Sequence, residues 1–220
     1  MPTSSKSPPE LLDICARWSK SFEKFTDNAA RIDFVRNELP ALLGSRSLFI
    51  GILRSITRGA TYPDLRQAMI FEDEMILYLQ PQRLFSLRMF IYGPEDFTPV
   101  HDHTSWGVSG SALGDLSVVK YRRDDDGLQD GYARLRRMEQ LTLKPGETDV
   151  TLPLNQGIHQ TGNSTAATII MISVYGRPLR RLYINRFDIE NNRVYKMFPP
   201  RMKKRRLAQQ ALEIMENSAG

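Results

Sequence analysis

Apolar positions in the first 60 or so residues recur every three or four places, whereas beyond residue 75 they alternate or cluster in short runs, so the pattern changes period once. Leu11, Leu12, Cys15, Trp18, Phe22 and Phe25 fall at helical intervals. Ser7-Pro8-Pro9-Glu10 before them has the spacing of a capping box with proline in the first turn. A second helix is predicted over 28–43, with Ile32, Val35, Leu39 and Leu43 inward and Pro40 bending or interrupting it. The apolar stretch 48–56 reads as a third. From Met75 onward, runs rich in β-branched and aromatic residues predict strands over 75–79, 85–92, 98–103, 107–113, 116–122, 133–143, 148–152, 157–161, 167–175 and 182–187. Gln80-Pro81, Gly93-Pro94, Lys144-Pro145-Gly146 and Gly176-Arg177-Pro178 are among the turn signals between them. Short strands in such number after a helical start predict a mainly β protein, a barrel or jelly-roll under a helical cap.

Composition narrows this picture. With 220 residues, 41% of them hydrophobic, the chain can build one substantial core, and neither a repeat nor a low-complexity block interrupts it. A single domain is expected, with a helical cap over 1–70, the barrel over 71–190, and a tail over 191–220 that ends in a short basic helix. The one cysteine, Cys15, lies on the apolar stripe of the first helix and reads as a packed thiol. The start carries no apolar leader, and the longest apolar run, 166–175, is far short of the roughly 20 residues of a membrane helix. A cytoplasmic protein without a membrane partner is the expectation. The net charge of +5 sits partly in Arg177, Arg180 and Arg181 and partly in Lys203-Lys204-Arg205-Arg206. Leu207, Ala211, Leu212, Ile214 and Met215 follow on one helical side, with no aromatic residue among the charges. That is a solvated face of a packing helix rather than a nucleic-acid surface.

All three histidines stand where a metal ion could gather them. His101-Asp102-His103 lies in a predicted strand, so the two imidazoles share one face and Asp102 takes the other. His159, in Gly157-Ile158-His159, lies in another predicted strand and could supply a third ligand from across a barrel.

Tyr92-Gly93-Pro94, the stretch from Thr98-Pro99-Val100-His101-Asp102-His103 through Thr104-Ser105-Trp106-Gly107, Gly157-Ile158-His159 with Asn163, and Val174-Tyr175-Gly176 resemble the motifs of the cupin superfamily. More narrowly they resemble the thiol dioxygenases related to cysteine dioxygenase and 3-mercaptopropionate dioxygenase. The resemblance covers roughly residues 75–190. It implies a cupin-type jelly-roll holding Fe(II) on His101, His103 and His159. A typical cupin adds a glutamate ligand shortly after its histidine pair, but 104–113 contains no Asp or Glu, and the thiol dioxygenases share that absence. Most non-haem iron oxygenase sites include one anionic ligand. A substrate thiolate can supply that charge in its place.

The resemblance further implies a catalytic Tyr175. Relatives carry a serine-histidine-tyrosine relay that would fall on Met171, Ser173 and Tyr175, so Ser173 replaces the imidazole. Animal cysteine dioxygenases cross-link the tyrosine to a cysteine for which Gly107 or Val108 stands here, so no Cys–Tyr cross-link is expected. The implied reaction is oxidation of the thiol of a small mercapto acid by O2 to a sulfinic acid. Its carboxylate needs a cation, for which Arg181 is the first candidate, followed by Arg180 and Arg177. Arg88 is another, because Ser86, Arg88, Phe90 and Tyr92 share one strand face and Phe90 and Tyr92 match pocket positions. Trp106 is expected to wall the pocket. Two alternatives remain open at this point. One is a three-histidine cupin of other chemistry on a non-thiol acid, with zinc or another ion; the other is a non-catalytic cupin that senses or binds its ligand.

Overall fold

In the computed structural model, residues 7–59, 71, 74–199 and 207 are described. Among these residues three helices come first: α1 (Pro9–Phe22), α2 (Asn28–Leu43) and α3 (Arg46–Thr57). Eleven strands follow: β1 (Glu74–Leu79), β2 (Phe85–Tyr92), β3 (Val100–His101), β4 (Gly107–Leu113), β5 (Leu116–Arg123), β6 (Leu135–Leu143), β7 (Thr148–Thr151), β8 (His159–Gly162), β9 (Ile169–Gly176), β10 (Ile184–Asp188) and β11 (Arg193–Met197). They form one sheet in the order β1-β2-β9-β4-β7 and another in the order β11-β10-β3-β8-β5-β6. Within these, the eight consecutive strands β2 to β9 place β2-β9-β4-β7 in one sheet and β3-β8-β5-β6 in the other. That is the double Greek-key order of a jelly-roll; β1 and the β10–β11 hairpin extend it.

Strand β9 shows why the apolar run from Ile169 to Val174 can be a strand buried on both faces. Ile170, Ile172 and Val174 pack outward with Leu87, Met89 and Val108 against Leu11, Cys15, Trp18, Phe22, Val35 and Leu39 of the helices. Met171 turns inward to Phe90, Tyr92, Leu116 and Val118, and Tyr175 packs against the same inner cluster. Side chains alternate along a strand, so the register that lays a greasy outer face under the helices also aims Ser173 and Tyr175 into the barrel. Aromatic rings seal the helix–sheet layer, with Phe22 centred 4.8 Å from Phe85 and 6.3 Å from Trp106.

The structure departs from the sequence reading in several places. Pro8, not Ser7, stands at the cap of α1, which has no side-chain cap bond. The Ser7 hydroxyl instead donates to the Leu77 carbonyl, a long-range partner invisible to local spacing. Pro40 does not end α2, which runs on to Leu43. The strand expected over 98–103 shrinks to Val100–His101, and the segment before His159 is a 3-10 turn, Leu154–Gly157. β11 was not anticipated, and it extends the sheet past residue 190. The basic C-terminal helix lies outside the described residues apart from Leu207. Among the described residues, no single helix is long and apolar enough to cross a membrane.

Candidate metal centre

Register brings the three histidines together. His101 on β3 stands directly opposite His159 on β8, and the two-residue alternation carries His103 to the same side. Ring centroids are 4.6 Å apart for His101–His103, 4.9 Å for His101–His159 and 4.8 Å for His103–His159. One ring nitrogen from each can be chosen so that all lie within 4.8 Å of one another. Among the described residues no carboxylate belongs to this cluster.

Hydrogen bonds at the far sides of the rings orient them. His101 Nδ1 lies 2.8 Å from the Pro99 carbonyl, to which it must donate, leaving a lone pair on Nε2. Thr151 Oγ1 holds His159 Nδ1 at 3.0 Å. The Nε2 atoms of His103 and His159 then face each other at 2.9 Å. Two nitrogens at about 2.1 Å from one ion would have this separation when they subtend a right angle. Burial pushes His101 down to about 4 despite its bond to Pro99. Burial, followed by the charges of the other imidazoles, holds His103 well below its ordinary value, and burial likewise lowers His159. Neutral imidazole is the form that binds metal. On donor chemistry, orientation and protonation, these residues fit a divalent ion.

A cavity of about 390 Å³ opens beside His103 and is lined by Glu74, Arg88, Phe90, Tyr175, Arg181 and Tyr183 among others. The Tyr175 ring stacks on His103 at 5.3 Å, and the Arg88 guanidinium lies over the same ring, 5.2 Å from its centroid. Burial raises the Tyr175 hydroxyl above its usual value; bonds from Ser173 and Ser109 and the charge of Arg88 oppose this, and Glu74 adds to it. The hydroxyl is therefore a donor at neutral pH. Ser173 and Ser109 face each other across β9 and β4 with their oxygens 2.8 Å apart. Gly107 lies opposite Tyr175, and a Cβ there would stand 2.8 Å from two ring carbons. This strand pairing puts Gly107, rather than Val108, in the position from which a side chain would meet the tyrosine.

Of the four candidate arginines, Arg181 and Arg88 line the cavity, where Arg83 joins them. Arg177 and Arg180 do not: both are exposed, and Arg177 donates to the Gln82 carbonyl at 3.2 Å. Arg88 is no exterior residue, because its strand face is the barrel interior, where Glu74 and Ser86 engage it. Trp106 walls no part of this cavity. It is packed on Phe22 in the helix–sheet core and lies so close to Gly176 that a Cβ there would meet its Nε1 at 2.2 Å. Tyr92 stacks on Phe90 at 6.1 Å and reaches Thr161 at 3.4 Å, within a small void that also touches His101 and His159.

Sequence spacing gives no signal for Glu74 or Ser109, and for Asp102 it gives the face but not the partners. Glu74 is only 3% exposed and pairs with Arg88. Ser109 is brought to Tyr175 by strand pairing alone. Asp102 had been placed on the opposite face from the imidazoles, but its partners there, Arg181 and Asn185, come from about 80 residues away.

No protein-family model matches the chain. Solved structures similar to it include a cupin 2 conserved barrel domain protein from Rhodopseudomonas palustris, 11% identical, with a TM-score of 0.41 over 59% of this chain and 76% of that one. A cupin 2 domain-containing protein from Halorhodospira halophila is 18% identical, with a TM-score of 0.40 over 57% and 76%. The Cupin_2 domain of an XRE family transcriptional regulator from Enterobacter cloacae is 16% identical, with a TM-score of 0.34 over 48% and 96%. By its own strand order and element content, the fold is a jelly-roll of the cupin type with N-terminal helices, and its inner face carries three buried histidines able to hold a metal ion.

Proposed function

We propose that this chain is an iron-dependent thiol dioxygenase acting on a small mercapto acid. The observation that carries the reading is a buried, neutral three-imidazole cluster with no carboxylate among the described residues, opening onto a cavity lined by Tyr175 and three arginines, Arg83, Arg88 and Arg181. A ferrous ion bound by His101, His103 and His159 would supply the centre at which sulfur and dioxygen react. In the balanced reaction both atoms of O2 end on sulfur, which loses four electrons as O2 gains four, and the thiol proton is released. No further reductant is needed.

The chain's own residues would bind and orient. Arg181 offers its guanidinium to the carboxylate, and Arg88 adds positive potential beside Tyr175. Tyr175 donates a hydrogen bond to the reacting groups, with the Ser173 and Ser109 hydroxyls fixing its direction. Phe90 supplies an apolar wall that keeps water from the sulfur. Oxygen uptake by the ferrous-loaded protein with cysteine, 3-mercaptopropionate and cysteamine tests this. A product heavier than the thiol by two oxygen atoms is expected with at least one acid. No uptake with any of them refutes the reading.

Replacement of the relay imidazole by Ser173 favours a second reading, a binding protein of the same architecture that holds its ligand without turning it over. A ligand that stabilises the metal-loaded protein and is recovered unchanged after aerobic incubation would select it.

A further inference from the structure

Asp102 lies between two of the three histidines and faces away from them. It is completely buried, and its carboxylate accepts from Arg181 Nη2 at 2.5 Å, from the Asn185 backbone N–H at 2.7 Å and from Asn185 Nδ2 at 2.9 Å. Backbone bonds reinforce the same junction. The Asp102 N–H donates to the Asn185 carbonyl at 3.1 Å, the Leu179 N–H donates to the Thr104 carbonyl at 2.7 Å, and Arg186 pairs in register with His101. The 177–185 segment is thus tied to the histidine strand on both sides of Asp102. Arg181 remains 18% exposed, on the cavity wall, with its plane 5.0 Å from the Tyr183 ring. Its buried Nε has no hydrogen-bond partner among the described residues. An unpartnered buried donor of this kind is costly.

The charges around the cavity agree with an arriving anion. Among the described residues, Arg83, Arg88 and Arg181 line it against one acid, Glu74, and Asp102 stands behind Arg181. Three cations against two carboxylates leave one positive charge, which suits a monoanion.

We infer that Asp102 is a positioning residue that locks Arg181 at a fixed distance from the histidine cluster and so makes the cavity select mercapto acids by the number of carbons between sulfur and carboxylate. This rests on the reading of the site as one for small thiol acids. A neighbour that only neutralised Arg181 would have a different signature, since its loss would free the guanidinium and tighten anions of every length. A positioning residue sets geometry, so its loss should flatten the preference.

Cobalt(II)-loaded protein titrated with thioglycolate, 3-mercaptopropionate and 4-mercaptobutyrate provides the test, with visible absorption reporting thiolate binding independently of turnover. One methylene displaced in a fitted site is worth roughly tenfold or more, and the wild-type protein should show at least that between its best and worst acids. In Asp102→Asn the spread should shrink to about threefold or less by loss of affinity for the best acid. 2-Mercaptoethanol, which has no carboxylate, should bind both proteins within about twofold, because groups without shared partners do not couple. Arg181→Gln should flatten the series in the same way, and adding Asp102→Asn to it should change nothing more. If Asp102→Asn does not fold, Asn185→Ala keeps the charge of Asp102 but removes one of its bonds, and it should narrow the spread partially at unchanged metal content. An undiminished spread in Asp102→Asn, or in Asn185→Ala where only that variant folds, overturns the inference, as does a uniform gain in affinity. If the series binds as expected but no oxygen is consumed, the inference stands and the oxidation reading fails. If thiol acids are oxidised and the variants keep the wild-type spread, the inference alone fails.

Discussion

Gly107 and Tyr175 offer a quantitative check on the site's packing. A Cβ on Gly107 would lie 2.8 Å from both Cδ1 and Cε1 of Tyr175, whereas carbon atoms rest at about 3.5–4.0 Å, so Gly107→Ala requires the ring to retreat by roughly 1 Å. Its retreat is obstructed by His103 stacked at 5.3 Å and Arg88 at 5.2 Å. Overpacking of this kind costs about 1–3 kcal/mol. Alanine recovers about 0.5–1 kcal/mol by restricting the unfolded chain. The net expectation is a loss of about 0–2.5 kcal/mol. Urea unfolding followed by tryptophan fluorescence would read it as a midpoint lowered by several tenths of a molar, given slopes of about 1–3 kcal/mol per molar. Gly51→Ala in α3 is the matched control, because its Cβ would meet nothing within 4 Å. It should stabilise by about 0.5–1 kcal/mol. Should Gly107→Ala prove as stable as Gly51→Ala, the close approach of β4 to the tyrosine would be refuted.

Metal-free protein should lose stability in acid. The folded-state value of His101 is depressed, so its contribution is intact above the unfolded value of 6.5 and is lost as pH falls to about 4, a drop of about 3 kcal/mol at 1.36 kcal/mol per unit from this residue alone. Urea midpoints at pH 7 and pH 4.5, compared with those of His101→Gln, check the sign and size. Thr151→Val removes the partner of His159 Nδ1 and should weaken metal binding about 10–100-fold with little change in fold, as measured by competition with a chelator. Burial pushes the Cys15 thiol up to about 12, so iodoacetamide at pH 8 should label it only after unfolding; rapid labelling of the native protein would contradict its place in the core. Truncating Phe22 to alanine should cost about 3–5 kcal/mol, since its ring meets Phe34, Phe85 and Trp106 at the helix–sheet junction.

Much of the fold was legible because local periodicity reports local structure. The span of α2 and those of β2 and β4 follow from patterns that need no distant partner. The histidine pair was legible for the same reason: alternation along an extended segment puts His101 and His103 on one side whichever strand they meet. What failed was whatever depended on a remote partner. Ser7 looked like a cap and instead bonds Leu77; Trp106 looked like a pocket wall, yet α1 covers it; Arg177 and Arg180, ranked behind Arg181, stay exposed away from the cavity. The edge strand β11, short and largely exposed, offered almost no hydrophobic pattern to read.

By itself, the sequence determined that a helical start would give way to a β barrel or jelly-roll, and that its three histidines could share one site without a neighbouring carboxylate. Those properties follow from side-chain spacing, which secondary structure converts directly into faces. Tertiary structure alone decided which arginines reach the cavity, that Glu74 lines it, that Ser109 meets Ser173 beside Tyr175, and that Asp102 anchors Arg181. Each of these depends on pairing between segments some 14 to 80 residues apart, and the register of such pairing is set by burial of whole sheet faces rather than by any local run of residues.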